Sequence, residues 1–250
     1  MPPALTEQPV LVFVHGGVHT GACWDETIDA ITAVRPDIES LVIDWPGRRA
    51  VAGDLATLTI EGCVASVCEQ IRQHLEAEQN RRITLVGHSL AGVILPGVVQ
   101  KLGAHCVEQV IFVASCIPPP GQCVIDTLPF GLKRVARYLA HRSPVFATPW
   151  AVQHFFFGNG ATRRQRQRMR EHLCSEASTL LSEVPVALVP DSVRTSWVLT
   201  ARDRALPPAL QRKFIDNLGG VDEAAVIDAG HEAMFTHPHE LAETITRLVT

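Results

Sequence analysis

The first half of the chain repeats one unit, a short run rich in Val, Ile and Leu followed by a longer amphipathic stretch. Parallel strands need helical crossovers that cover both sheet faces, so this alternation restricts the chain to an α/β architecture around a mostly parallel sheet. Val10 to Val14 reads as a buried strand ending at His15-Gly16-Gly17, and a helix from about Cys23 to Val34 stops at Pro36. Leu41 to Asp44 is the next strand, closed by Trp45-Pro46-Gly47, and Thr59 caps a helix expected to run to about Gln79. Ile83 to Val86 forms a third strand that breaks at Gly87-His88-Ser89-Leu90-Ala91-Gly92, with a helix to about Leu102. Val110 to Ala114 is the fourth.

The rhythm then lapses. Residues 117–192 hold Pro-rich punctuation, aromatic clusters and helical stretches but no convincing strand. That is too long for a simple connection, so an inserted helical lid over the sheet is expected. From Thr195 the pattern returns, with strands at Ser196 to Leu199 and Ala225 to Ile227, a helix from about Pro207 to Leu218 and a last helix after Pro238. Six strands with helices on both faces, interrupted by one lid at 117–192, make a single domain over 1–250.

Composition narrows the function classes. With 46% hydrophobic and 19% charged residues, the chain buries too much apolar surface for disorder, and a net charge of −4 lacks the basic excess of a phosphate-contacting nucleic-acid binder. No apolar run approaches the roughly 20 residues of a spanning helix. Met1 to Gln8 has neither a basic start nor an apolar core, so secretion by that route is not expected. Seven cysteines without small-scaffold spacing read as reduced, mostly buried thiols of a cytoplasmic protein. Composition leaves monomer and homodimer equally open.

Gly87-His88-Ser89 falls between a strand and a helix, where a sharp turn pushes a serine above the sheet. Ala91 stands where the usual pattern has its last glycine, with Gly92 one place later. A serine hydroxyl needs a base to take its proton and a third group to orient that base. Asp203 follows the strand ending at Leu199, and Gly230-His231 follows the strand ending at Ile227. Both lie at the C-terminal sheet edge, where open α/β folds bind ligands. Asp228, three residues before His231, is the rival acid; Asp203 is preferred for its position in a strand-end loop. Two backbone N–H groups, from Gly17 and Leu90, are placed to hold an oxyanion. The alternative for His15-Gly16-Gly17, a phosphate cradle, lacks the G-x-G-x-x-G spacing.

Together, His15-Gly16-Gly17, Gly87 to Gly92, Asp203 and Gly230-His231 resemble the α/β-hydrolase fold. Within it the chain is similar to the plant methylesterase and hydroxynitrile lyase group and its bacterial relatives, in the first loop from His15 to Trp24 and, in the insert, at Phe156-Phe157-Gly158 and Leu173-Cys174-Ser175. The resemblance covers nearly the whole length. Lyases of that group carry a lysine directly after the catalytic histidine and a hydroxyl residue in the oxyanion loop. Here Glu232 and Gly16 occupy those positions. A carboxylate does not stabilise a departing cyanide anion, so hydrolysis is the expected outcome.

His231, His237 and His239 match no zinc spacing, and no cofactor or metal is expected. His237-Pro238-His239 instead starts the final helix. Arg163, Arg164, Arg166, Arg168 and Arg170 read as a solvated helix face, with an acidic substrate or partner as the sharper alternative. The aromatics concentrate in the insert, so Phe130, Phe155 and Phe156, together with Val18 and Trp24 near the first loop, are candidates to line an apolar, aryl-accommodating pocket. Trp24 fits equally well beneath that pocket. The expected protein is a cofactor-independent serine esterase of a small apolar molecule, with Ser89, His231 and Asp203 as the triad. A non-hydrolytic lyase or cyclase, or a ligand-binding protein with a retained triad, are the alternatives.

Overall fold

The computed structural model describes residues 10–48, 51–75, 81–185 and 188–249. In chain order the elements are β1 (Val10–Val14), α1 (Asp25–Val34), β2 (Glu39–Ile43), α2 (Ile60–Leu75), β3 (Ile83–His88), α3 (Leu95–Leu102) and β4 (Val107–Val113). The insert follows, with α4 (Phe130–Arg142), β5 (Val145–Phe146), α5 (Trp150–Val152), α6 (Arg163–Glu171), β6 (Glu176–Ala177) and α7 (Thr179–Ser182). The chain then returns through β7 (Arg194–Thr200), α8 (Pro208–Asn217), β8 (Glu223–Ile227), α9 (Ala233–Thr236) and α10 (Pro238–Leu248). None of the described helices is long and apolar enough to cross a membrane.

The main sheet has six strands in the order β2-β1-β3-β4-β7-β8, and every pairing in it is parallel. After β1 the chain steps one way to β2 and then the other way to β3. That reversal opens a crevice beyond the carboxyl ends of β1 and β3, where ligands bind in sheets of this kind.

Period-2 alternation distributes the core to both faces. Val10, Val12 and Val14 of β1 pack with Val64, Val67 and Ile71 of α2 and Val98 of α3. Leu11 and Phe13 point the other way, into Ile31 of α1 and Leu241, Ile245 and Leu248 of α10. Both faces being covered, β1 and β3 are buried along their entire lengths.

Local chemistry sets the helix ends. Thr59 Oγ1 accepts from the Gly62 N–H at 3.0 Å at the start of α2, and Gly103 ends α3 at φ 81°. Pro238 opens α10 in its first turn, as the sequence predicted. The last residues of the helix expected to reach Gln79 lie outside the described residues, as does Met1 to Gln8.

The insert differs from expectation in one respect. Val145–Phe146 and Glu176–Ala177 form a short antiparallel pair, within a stretch whose sequence offered no strand. Two residues per strand are too few for any periodicity to register. The pairing nevertheless brings Glu176 opposite Phe146, at the entrance to the crevice.

Candidate active site

The loops after β1, β3, β7 and β8 converge on one point. Ser89 follows β3 in a left-handed backbone conformation, φ 50°, which a non-glycine residue adopts only when its surroundings over-determine it. Those surroundings are tight on both sides of the serine, against a side chain at Gly87 and against backbone at Gly92. A Cβ on Gly87 would lie 2.3 Å from Leu95 Cδ1, and one on Gly92 would lie 2.4 Å from the Cys116 carbonyl oxygen. Ala91 fits where the usual glycine stands, and Gly92 answers a separate constraint, contact with the chain after β4.

Ser89 Oγ donates to His231 Nε2 at 3.0 Å, and His231 Nδ1 donates to Asp203 Oδ2 at 2.7 Å. Asp203 is fixed in turn by the N–H groups of Ala205 and Leu206 at 2.8 and 2.7 Å and by Thr200 Oγ1 at 3.0 Å. Its rival Asp228 is exposed and forms an ion pair with Arg202. Burial lowers the pKa of His231, but the charge and hydrogen bond of Asp203, with Glu232 adding to them, outweigh burial and leave it raised. His88 behaves oppositely: burial, and then the neighbouring His231 and His19 rings, push it well below its ordinary value. A neutral His88 donates from Nε2 to the His231 carbonyl at 3.1 Å, fixing the backbone that carries the second ring.

The first loop reaches the same point because it lacks side chains. A Cβ on Gly16 would lie 2.7 Å from His88 Nδ1 and 3.1 Å from Ser89 Cβ. Val18, a β-branched residue at φ 58°, is held by the Glu176 carboxylate, which accepts its N–H at 3.0 Å. Arg48 Nη2 donates to the same oxygen at 2.7 Å, and both side chains of the pair are buried. Nothing in the sequence singled out Glu176; its partners lie 128 and 158 positions away.

A cavity of about 200 Å³ opens above Ser89. Gly17, Val18, Leu90 and His231 line it, together with Phe157, Phe146 and Glu232. Trp24 does not line it; it lies fully buried beneath, 5.2 Å from the Phe13 ring and edge-on to His88. Phe130, Phe155 and Phe156 also stay out of the cavity and are solvent-exposed. Phe130 starts α4, a helix with no buried residue, while for Phe155 and Phe156 the physical reason is a π-helical turn over Gln153–Phe157, closed by the Gly158 N–H on the Gln153 carbonyl at 2.8 Å. Its extra residue rotates the aromatic run so that Phe157 alone turns inward, to an edge contact 5.2 Å from the His231 ring. A Cβ on Gly230 would lie 2.6 Å from the Asn159 carbonyl, so this turn also packs directly against the loop carrying His231.

The basic run lies on α6. Arg168 pairs with Glu26 of α1, and Arg170 covers the Trp150 ring. Arg168 therefore joins the insert to the rest of the molecule, while Arg170 packs within the insert.

The model of the alpha/beta hydrolase family matches residues 11–244. The chain belongs to the α/β-hydrolase family. As an α/β hydrolase it is 24% identical over 272 residues to norfluorocurarine synthase 2 of Strychnos sp., with 97% of this chain and 96% of the relative covered. It is 27% identical over 252 residues to the carbendazim hydrolyzing esterase of Nocardioides sp., covering 95% and 98%. Among solved structures it resembles an extracellular α/β-hydrolase from a Paenibacillus species, described as sharing structural and functional homology with tobacco salicylic acid binding protein 2. That likeness has a TM-score of 0.78 at 20% identity, over 95% of this chain and 98% of the other. These plant and bacterial proteins belong to the group that the motifs at His15, Gly87 and Gly230 indicated.

Proposed function

We propose that this α/β hydrolase is a serine esterase that cleaves an ester of a small, largely apolar molecule through an acyl-enzyme. The observation that carries the reading is the unbroken hydrogen-bonded chain Ser89–His231–Asp203, at 3.0 and 2.7 Å, opening into an apolar cavity. Ser89 Oγ attacks the carbonyl carbon while its proton passes to His231 Nε2, and Asp203 stabilises the imidazolium. The carbonyl oxygen becomes an oxyanion held by the N–H groups of Gly17 and Leu90. Engagement of the Val18 N–H by Glu176 supports Gly17 as the donor from the first loop. As the C–O bond breaks, His231 gives its proton to the leaving alkoxide. Water, deprotonated by the same ring, then releases the acid and restores Ser89.

The insert over residues 117–192 serves in this reading as the lid, with Phe157 and Phe146 forming an apolar wall. Roughly 150 Å³ is enough for a benzene ring, so a cavity of about 200 Å³ suits a single ring or a short acyl chain. A fluorophosphonate probe tests the reading: mass spectrometry is expected to locate the adduct on Ser89, and short-chain methyl and aryl esters are expected to release acid with multiple turnovers. A correctly folded protein that is neither labelled nor active on esters rejects it. The synthase-named relative supports a second reading, a non-hydrolytic reaction on the same cradle. Product analysis separates the two.

A further inference from the structure

Glu232, which lines the cavity, carries a buried hydrogen-bond acceptor that the described residues leave unpaired. It follows His231 directly, is 2% exposed, and shares the cavity with Ser89, Leu90 and Gly17. Its Oε2 is out of solvent and accepts no hydrogen bond from any described residue. The His19 ring faces it with Nε2 3.7 Å away, an ion-pair distance when that ring is protonated but beyond hydrogen-bond reach.

The state of His19 sharpens the point. Its Nδ1 lies 3.0 Å from the Gly17 carbonyl oxygen, which can only accept, so Nδ1 carries the proton. In the neutral ring, Nε2 then presents a lone pair, and it too is buried without a hydrogen bond from the described residues. In that state two acceptors face each other with no hydrogen bond to either from the described residues. Leaving a buried polar atom unpaired costs free energy, so each such atom calls for a partner or a role.

We propose that Glu232, backed by His19, is the specificity-determining residue of the site and receives a hydroxyl of the substrate close to the scissile carbonyl. A hydroxyl serves either protonation state of His19. It donates to Glu232 Oε2 in both, and accepts from Nε2 when that nitrogen is protonated. Because Glu232 adjoins His231, whose Nε2 is 3.0 Å from Ser89 Oγ, the hydroxyl belongs within a few bonds of the carbonyl carbon. The α-hydroxy esters are the class that meets this requirement. The inference rests on the esterase reading above and adds what the ester must carry.

The test compares each enantiomer of methyl 2-hydroxy-2-phenylacetate with methyl phenylacetate, in the wild type and in Glu232→Leu. The wild type is expected to favour one hydroxy enantiomer in kcat/KM. Glu232→Leu is expected to reduce that preference about tenfold or more, because the discrimination arises from a buried acceptor left unpaired by the plain ester. Normalising to the wild type removes the hydroxyl's intrinsic effect on ester reactivity. Fluorophosphonate labelling of Ser89 reports whether each variant has an assembled site. If Glu232→Leu does not fold, Glu232→Gln, which keeps the size and removes the charge, is measured in its place and is expected to lower the preference by about threefold or more. An unchanged preference in a labelled variant overturns this inference alone. Absence of both labelling and ester turnover in the wild type overturns the esterase reading and this inference with it.

Discussion

Glu176 and Arg48 meet at 2.7 Å with both side chains buried, and the same carboxylate oxygen holds the N–H of Val18 in the first loop. Removing one member of a buried pair strands the other charge, at a cost of about 3–5 kcal/mol, whereas replacing both with apolar residues is often close to neutral. Glu176→Gln is therefore expected to lower the denaturant midpoint sharply. The double variant Glu176→Leu/Arg48→Met is expected to recover most of that stability and still hydrolyse esters slowly, because Val18 has lost its acceptor. Equal recovery of stability and kcat in the double variant contradicts a positioning role for Glu176.

The raised pKa of His231 has a definite sign in the rate. As the base, the ring works only when neutral, so kcat/KM is expected to fall on the acid side with an apparent pKa above the ordinary value of about 6.5. Asp203→Asn removes the charge that raises it. That variant is expected to move the acid limb to lower pH and to cut kcat by roughly 10⁴-fold. Asp228→Asn, which changes only an exposed pair with Arg202, is expected to leave the profile unchanged. A pH–rate series on the three proteins distinguishes the two aspartates.

Gly16 is a spacing residue. With 2.7 Å between a built Cβ and His88 Nδ1, even Gly16→Ala must displace the ring that donates to the His231 carbonyl. A loss of about 1–3 kcal/mol of stability is expected from the overpacking, accompanied by a lower kcat. Thermal melts and steady-state rates with Gly16→Ala and Gly16→Thr, the hydroxyl-bearing variant, check both effects. An active, equally stable Gly16→Thr enzyme refutes the spacing argument.

Cys116 lies against the nucleophile without its chemistry. Burial first, and then the charge of Asp203, push its thiol up to about 12, so almost no thiolate exists at neutral pH. Cys174 is pushed up to about 11, again mainly by burial. Iodoacetamide at pH 7.5 is accordingly expected to leave esterase activity intact. Rapid inactivation accompanied by alkylation of Cys116 contradicts this.

What the sequence made legible is local. Gly92 and Gly230 mark close backbone approaches after β3 and β8, Gly16 and Gly87 mark tight side-chain contacts at the ends of β1 and β3, and each demands a small residue at a fixed position. Short runs rich in Val, Ile and Leu placed β1, β3, β4 and β7 to within a few residues, because these strands are buried over most of their length. The cavity walls depend on the insert and escaped detection. Phe157 enters the cavity only because a π-helical turn shifts the register of Gln153–Phe157, and Glu176 arrives through a two-residue ladder with Phe146. No period in the sequence encodes either. Trp24, Phe130, Phe155 and Phe156 were plausible aromatics of the right composition in the wrong orientation. Glu232 was noticed for its position after His231, and its buried, unpaired oxygen emerged only from the fold.

The ladder between β5 and β6 has a consequence for engineering this scaffold. Because Glu176 reaches out of the insert to grip the loop after β1, the insert cannot be exchanged as a detachable module. A graft of residues 117–192 from another hydrolase would import a new wall and at the same time remove the anchor from a loop beside the reacting carbonyl. Such a chimera needs a carboxylate at the place of Glu176, or a first loop redesigned to stand without one.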